Sequence, residues 1–307
     1  MNKINERAGI RLPLPMLIAG AVFLVILLMV IGAPLLTKLD PDAINLMACN
    51  HGPGGEHLLG TDALGRDEWT RLLYGGRTSL LNAFLVVLLS FLVGVSLGML
   101  SGYFGGLLDA VWMRICDFIL AFPVLLLAFV LVVAMGRGGH IAVIASAIIY
   151  TPGLSKLARS LVLTEKTKGY VETCRSVSFS HSRIIFRHIL PNCVPTLMAE
   201  LTLDFSSAII TLTSLSFLGM GVKAPQSDWG CMLNDGMSSV FSNPVLVVAP
   251  AVTIILVAIS LNLLSDGILS CLDPELRKDP SFRQYERRQR RREKKAAAAD
   301  SRRQESV

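Results

Sequence analysis

A chain of 307 residues that is 52% hydrophobic and only 17% charged, with mean hydropathy +0.56, has a membrane composition, since soluble domains carry about 25% charged residues. Its formal charge of +6 does not describe a nucleic-acid-binding face: Arg277 to the end holds 12 Lys/Arg against 5 Asp/Glu, or +7, leaving −1 for everything before it. The six cysteines (Cys49, Cys116, Cys174, Cys193, Cys231, Cys271) show no CxxC or CxxH spacing and indicate neither a zinc site nor a disulfide framework.

Residues 1–11 carry Lys3, Arg7 and Arg11 against Glu6 and read as a short cytoplasmic N-terminus. The uncharged run 12–37 begins like a signal peptide but is too long and has no clean small-x-small cleavage site. It suits a first transmembrane helix, for which about 20 apolar residues suffice. Residues 38–77, polar and glycine-rich, form a periplasmic segment. The charge-free run 78–108 predicts the second span, Asp109 and Arg114 mark a short turn, and 118–135 predicts the third. Gly136-Arg137-Gly138-Gly139 reads as a tight hairpin. The fourth span follows over 141–161, with Lys156 and Arg159 placed to snorkel at its cytoplasmic end. Arg114 and Asp117 have the spacing of an i,i+3 pair.

A charged stretch, 164–192, then interrupts the apolar runs. Its centre, KGYVETCRSVSFSHSRIIFRHILPN (Lys168 to Asn192), carries Lys168, Arg175, Arg183 and Arg187 against Glu172. The pattern predicts two short helices joined by a serine-rich turn. Ser180 or Ser182 is placed to cap the second, Ile184, Ile185 and Ile189 form its apolar stripe, and Pro191 closes it. His181 and His188 have no metal-ligand company and read as surface or interface histidines, so no metal site is expected. Spans five and six are expected at 196–220 and 245–269, completing a core of residues 78–272. Residues 273–307 form a basic cytoplasmic tail, a solvated helix or disordered segment that anchors topology or meets anionic lipid headgroups.

Six spans place both termini on one side. The tail, the N-terminus, the 164–192 loop with the span end leading into it, and the Asp109 turn hold 23 of the 29 Lys/Arg. Six lie opposite: Lys38, Arg66, Arg71, Arg77, Arg137 and Lys223. The positive-inside rule makes the protein N-in and C-in.

The charged loop is similar to the cytoplasmic "EAA" loop of permease subunits in bacterial ABC importers, whose pattern is Glu-Ala-Ala, three residues, Gly, nine residues, Ile-x-Leu-Pro. Glu172, Leu190 and Pro191 fall in register, His188 takes the Ile position, Thr173 and Cys174 replace the alanines, and Ser178 replaces the glycine. If that turn is left-handed, serine costs about 1–2 kcal/mol against glycine. Two further blocks resemble the dipeptide/oligopeptide/nickel branch of the same family. One is Gly60-Thr61-Asp62-Ala63-Leu64-Gly65-Arg66-Asp67, continuing to Arg71, Gly75, Arg77, Ser79 and Leu80; the other is Ser214 to Gly221 with Pro225, Asp228-Trp229-Gly230 and Met232-Leu233. Asn262-Leu263-Leu264-Ser265-Asp266-Gly267 with Leu272-Asp273-Pro274 matches the family's closing block, Ser265 standing where glycine is usual. The blocks span roughly residues 57–277 in the family's order.

The resemblance, closest to the C-type subunit, implies an all-α polytopic protein with the type I ABC importer permease fold in the bacterial inner membrane. It implies a heterodimer with a second permease subunit, two ABC ATPase subunits that bind the ATP, and a periplasmic or lipid-anchored solute-binding protein. Peptides are the expected cargo, with nickel, a metal–opine complex or glutathione as alternatives. In the ATPase-coupling loop, Glu172, Thr173, Cys174, Ser178, His188, Leu190 and Pro191 are carried over. Gly60, Asp62, Gly65, Arg66, Asp67, Gly219, Gly221, Trp229, Gly230, Asp266 and Gly267 are carried over as structural motif positions, with substrate contact the alternative for the first block.

The residues read by themselves agree. Asp62, Arg66 and Asp67 are placed to pair locally, and Trp229 suits an interfacial anchor. The chain has no GxxxxGK[ST] loop and no HExxH, so it is not expected to be an enzyme or to hold a cofactor of its own. Cys49 and Cys231 share the far side and read as small buried thiols, with a disulfide between them the alternative. Glu200 and Asp204 lie one turn apart in the fifth span and must face protein or water, as a contact to a partner subunit or as a proton relay. An ion-gradient-driven secondary transporter or channel is the other functional class the spans allow; it needs no loop for a motor and often carries an inverted repeat, which is not evident here.

Overall fold

Long helices follow where the apolar runs lie. The computed structural model describes residues 14–55 and 57–272; the expectations for 1–11, for Asp273-Pro274 and for the tail lie outside them. The described residues are helical and contain no β-strand. In chain order the helices are α1 (Leu14–Ile31), α2 (Ala33–Leu36), α3 (Glu68–Phe104), α4 (Gly106–Leu120), α5 (Val124–Met135) and α6 (Gly139–Glu165). They continue as α7 (Gly169–Ser176), α8 (His181–Arg183), α9 (Leu190–Phe217), α10 (Trp229–Met237) and α11 (Val245–Leu272). Five stretches are long and apolar enough to cross a membrane, and the bent pair α4–α5 makes a sixth if it is one span.

The apolar surface confirms the solvent. Leu17 and Leu24 on α1, Leu88 and Leu92 on α3, and Val252 and Ile255 on α11 point outward. A continuous surface of this kind fits hydrocarbon and not water. The protein is a multi-pass membrane protein. Inside, the polar backbone satisfies itself helix by helix, as a bilayer demands.

The second span begins ten residues earlier than its charges suggested. Asp67 caps α3, its Oδ2 accepting from the Thr70 N–H at 2.8 Å and the Thr70 hydroxyl at 2.6 Å. The helix then runs 37 residues to Gly105, or about 55 Å at 1.5 Å per residue. It overruns the hydrocarbon, and the overrun carries Arg71 and Arg77. Arg77 is held by backbone: its Nε donates to the Val30 carbonyl at 2.8 Å and its Nη2 to that of Ile31.

The third span differs more. The turn sits at Gly105-Gly106, both at positive φ, and Asp109 and Arg114 lie within α4. The helix then breaks before Pro123, and α5 leaves at 97° to α4. Proline has no N–H to continue the ladder and disfavours helix in the residue before it. At the cytoplasmic end of α6, Lys156 and Arg159 do not snorkel. Arg159 forks onto Asp109 at 2.5 and 2.6 Å, and Lys156 reaches Asp117 at 2.6 Å. Asp117 therefore bridges to α6 instead of pairing with Arg114.

The closest packing is α3 against α6. Gly94, Gly98 and Gly102 recur every fourth residue on α3, opposite Thr151, Ser155 and Arg159, which recur every fourth on α6. A Cβ on Gly98 would lie 2.8 Å from the Ser155 Cα, so only glycine permits this approach. The Ser155 hydroxyl donates to the Gly94 carbonyl at 2.9 Å across the seam. Two apolar clusters result. One, around Val86, Ile149, Ile209 and Trp229, fills the half towards α10; the other, around Met99, Leu154, Ile184 and Ile189, fills the half towards the charged loop.

Among the described residues, those up to Ile268 form one compact unit. Cys49, Cys116, Cys174, Cys193 and Cys231 are free thiols, so the Cys49–Cys231 disulfide is not formed. Cys231 is pushed up to about 12 by burial and by the neighbouring Asp228 carboxylate, and stays an inert thiol.

Candidate functional site

Two places collect the motif residues, one at each end of α6. At the C-terminal end, Glu165 receives the Lys168 ammonium at 2.6 Å and the Tyr170 hydroxyl at 2.7 Å. Burial and that bond to Glu165 push the phenol up to about 12, so it remains a donor. Helix α7 turns Val171 and Cys174 inward onto Ile184, Ile185, Ile189 and Cys193, against Met99 of α3 and Val162 of α6. Cys174 thus fills the inward place of a small residue. Glu172 and Thr173 face outward with Val177 and Phe186.

The turn after α7 is a left-handed C-cap. The Phe179 N–H donates to the Cys174 carbonyl at 3.1 Å and the Ser178 N–H to the Arg175 carbonyl at 2.9 Å, with Ser178 at φ +58°. This is the Schellman arrangement, in which glycine is usual. Ser178→Gly is expected to stabilise the loop by about 1 kcal/mol. Slower hydrogen exchange at Val177 to Phe179 checks it, and unchanged or faster exchange refutes it.

The second half of the loop departs from expectation. Ser180 holds the N-cap position, but its side chain makes no capping bond, and Ser182 lies inside the helix. Pro191 does not end the helix. A π-helical stretch, Ile184–Ile189, carries α8 into α9 without a break, and His181–Phe217 runs as 37 residues. Pro191 sits in the first turn of α9, where the wide π turn accommodates the missing N–H. Leu190 packs against the apolar cluster, and Pro191 is exposed. His188 is half-buried, stacked on Phe179 at 5.7 Å with its Nε2 enclosed and unbonded; His181 Nδ1 meets the Tyr103 hydroxyl at 3.0 Å. Arg183 lies 4.1 Å over the Phe179 ring.

At the other end, two blocks far apart in sequence become one buried ionic knot. Asp62 Oδ1 accepts from the Leu64 and Arg66 N–H groups at 2.9 Å each, fixing a turn that Gly65 completes at φ +73°. A side chain on Gly65 would collide with the Asn45 backbone. Asp62 Oδ2 takes Arg66 Nε at 2.7 Å and Arg71 Nη1 at 3.0 Å. Both arginines continue to Asp235 Oδ2 at 3.1 Å, and Arg71 also donates to Ser227 at 3.0 Å. Asp67 pairs with His57 Nδ1 at 2.9 Å and not with Arg66. Burial lifts the Asp235 carboxyl above its ordinary range, against the pull of Arg66 beside it.

Trp229 is no interfacial anchor. It is fully buried, its Nε1 donating to the Leu72 carbonyl at 3.0 Å and its N–H to Ser79 Oγ at 3.1 Å. The Asp228 that caps α10 accepts from the Cys231 N–H at 2.8 Å and from Ser216 Oγ at 2.5 Å, and burial raises its carboxyl. Gly221 and Gly230 leave room for the Ser216 side chain between them, and Gly219 takes φ +75° just after α9. Gly60, at φ +84°, lies against the His51 carbonyl. On α11, Asp266 is exposed and Gly267 lies against Met16 of α1. Among the described residues no group of His, Cys, Asp and Glu has metal-binding geometry. The sequence reading missed Asp235, whose two arginine partners lie about 165 residues away, and the Gly94/Gly98/Gly102 repeat, although its spacing is plain.

The family of binding-protein-dependent transport system inner membrane components matches residues 94–278, well over half the chain. The chain belongs to that family. The permease is 41% identical over 228 residues to the glutathione transport system permease protein GsiD of Pectobacterium atrosepticum, covering 74% of this chain and 76% of that one. It is 38% identical to the dipeptide transport system permease protein DppC of Alkalihalophilus pseudofirmus (82% and 83% covered). It is 35% identical to the oligopeptide transport system permease protein OppC of Bacillus subtilis (84% of each). Members are transport permeases, not enzymes, and the type I permease fold is theirs. As an inner-membrane permease subunit of an importer, the protein works with other permease, ATPase and substrate-binding components. The gradient-driven carrier has no support from this membership.

Proposed function

We propose that the permease is one half of a heterodimeric ATP-driven importer for short peptides or related carboxylate-bearing solutes, and that residues 168–192 receive the motion of two ATPase subunits. Its relatives belong to transport systems for glutathione, dipeptides and oligopeptides, which supports the solute class. The coupling role rests on one observation: the loop has a core of its own, Val171, Cys174, Ile184 and Ile185, clamped to α3 and α6, while Glu172, Thr173, Val177 and Phe186 face outward. A push on that outward face therefore reaches the spans without being absorbed by a soft loop. ATP binds in the partner subunits, and a periplasmic or lipid-anchored binding protein delivers the solute.

Glu172→Ala tests this in the complete complex reconstituted in vesicles. Assembly is expected to be unchanged, because Glu172 touches nothing inside the loop core. Solute-stimulated ATP hydrolysis and uptake should fall together by about tenfold, within the 1–3 kcal/mol typical of site-to-site coupling. Normal uptake would remove the carboxylate from the coupling path.

A further inference from the structure

At the start of α6, opposite the charged loop, a cleft of about 510 Å³ opens between α3, α6 and the segment after α9. We propose that it is a receptor site for the free carboxylate of the incoming solute, an inference that rests on the importer reading above.

The cleft is lined by Arg137, Lys223 and His140, with Asn82, Thr78 and Gln226 as neutral hydrogen-bonding neighbours, and no acidic residue lines it. Its volume is that of a small-solute pocket, about 300–1,000 Å³, and not of a flat protein-docking face. Six Lys/Arg lie at this end of the molecule. Arg66 and Arg71 are consumed by Asp62 and Asp235, Arg77 by backbone carbonyls, and Lys38 is exposed outside the cleft. Arg137 and Lys223 make no ion pair among the described residues, and both fall on this one recess.

The backbone adds to their charge. Helix α6 starts at Gly139 behind Gly138, whose missing side chain leaves the first-turn amides uncapped, and no acidic residue stands in that turn. The positive end of a 27-residue helix thus points the same way as the guanidinium and the ammonium. A carboxylate entering here meets a fork donor from Arg137, a point charge from Lys223 and open N–H groups. Asn82 and Gln226 are left for the amide groups of a peptide. A neutral or cationic solute end would gain nothing from Arg137 and Lys223.

The test uses Lys223 as its own reporter. Full-length protein in its complex is acylated briefly with a membrane-impermeant amine reagent, and modification of Lys223 is measured by mass spectrometry against Lys38, the other exposed lysine at this end. Dialanine and glutathione at millimolar concentration are expected to slow modification of Lys223 severalfold and leave Lys38 unchanged. Dialanine amide should give no protection, and Arg137→Gln should abolish the protection by about tenfold weaker binding, as for loss of a charge-assisted hydrogen bond. Equal protection by the amide, or no protection by either acid, overturns the site. Inorganic phosphate protecting as well as both acids would mark an adventitious ion only and overturn it too. If the unmodified complex protects Lys223 yet fails to take up solute on ATP addition, the importer reading fails while the carboxylate site stands.

Discussion

Asp62→Asn is expected to destabilise the protein by about 3–5 kcal/mol, the usual cost of removing one partner from a buried ion pair. The carboxylate is 4% exposed and holds both Arg66 and Arg71 from inside; Asp235, which also touches both, is half in water. With the charge gone, Arg71, itself 2% exposed, keeps only the half-exposed Asp235 as an anionic partner. The turn at 62–65 would also weaken, because the same side chain orders the Leu64 and Arg66 amides. Thermal unfolding of the detergent-purified protein measures the loss. Asp235→Asn should cost clearly less, since solvent compensates a half-exposed group. Equal midpoints for Asp62→Asn and the parent protein would show that the knot does not hold the two blocks together.

Gly98→Ala is expected to cost about 1–3 kcal/mol, the range for overpacking a tight interior, and Gly98→Leu to prevent the native α3–α6 contact. The added carbon meets the Ser155 backbone, which cannot rotate away as a side chain can. The strain would pass along the seam to the Ser155–Gly94 hydrogen bond. Gly153→Ala is the matched control: that glycine also lies in a spanning helix, but nothing stands within 4 Å of its missing side chain. The control should unfold like the parent or slightly later. If both substitutions behave alike, the seam is not what sets the helix spacing.

Much of this architecture was legible because lipid leaves the sequence few options. Uninterrupted apolar runs had to become helices, and the first, fourth and sixth spans lie within a few residues of where those runs placed them. The errors have a common cause. Charge was read as a mark of water, and here several charges are satisfied by protein instead. Arg71 and Arg77 look in the sequence like the end of a polar segment, yet one sits in an ion network and the other on two carbonyls, so α3 begins before both. Asp109, Asp117, Lys156 and Arg159 look like four surface charges in the sequence; they are two ties between α4 and α6. Trp229 was assigned to the membrane interface by residue type, while its burial depends on Leu72 and Ser79, about 150 positions away. Pro191 was read as a stop by a local rule that the π-helical turn before it sets aside. The left-handed Ser178, by contrast, was visible as a conditional: the family's glycine position implied the geometry, and the backbone adopts it.

The unbroken run from His181 to Phe217 has a mechanical corollary. Thirty-seven helical residues make a rod of about 55 Å, with one end among the outward residues of the loop and the other beside the Ser216–Asp228 contact. Turned as a rigid body, such a rod converts a tilt of about 5° at one tip into a displacement of about 5 Å at the other, by its length alone. One continuous piece of chain thus joins the outward face of the loop to the buried Ser216–Asp228 contact at the opposite end, with no joint between them to absorb a tilt.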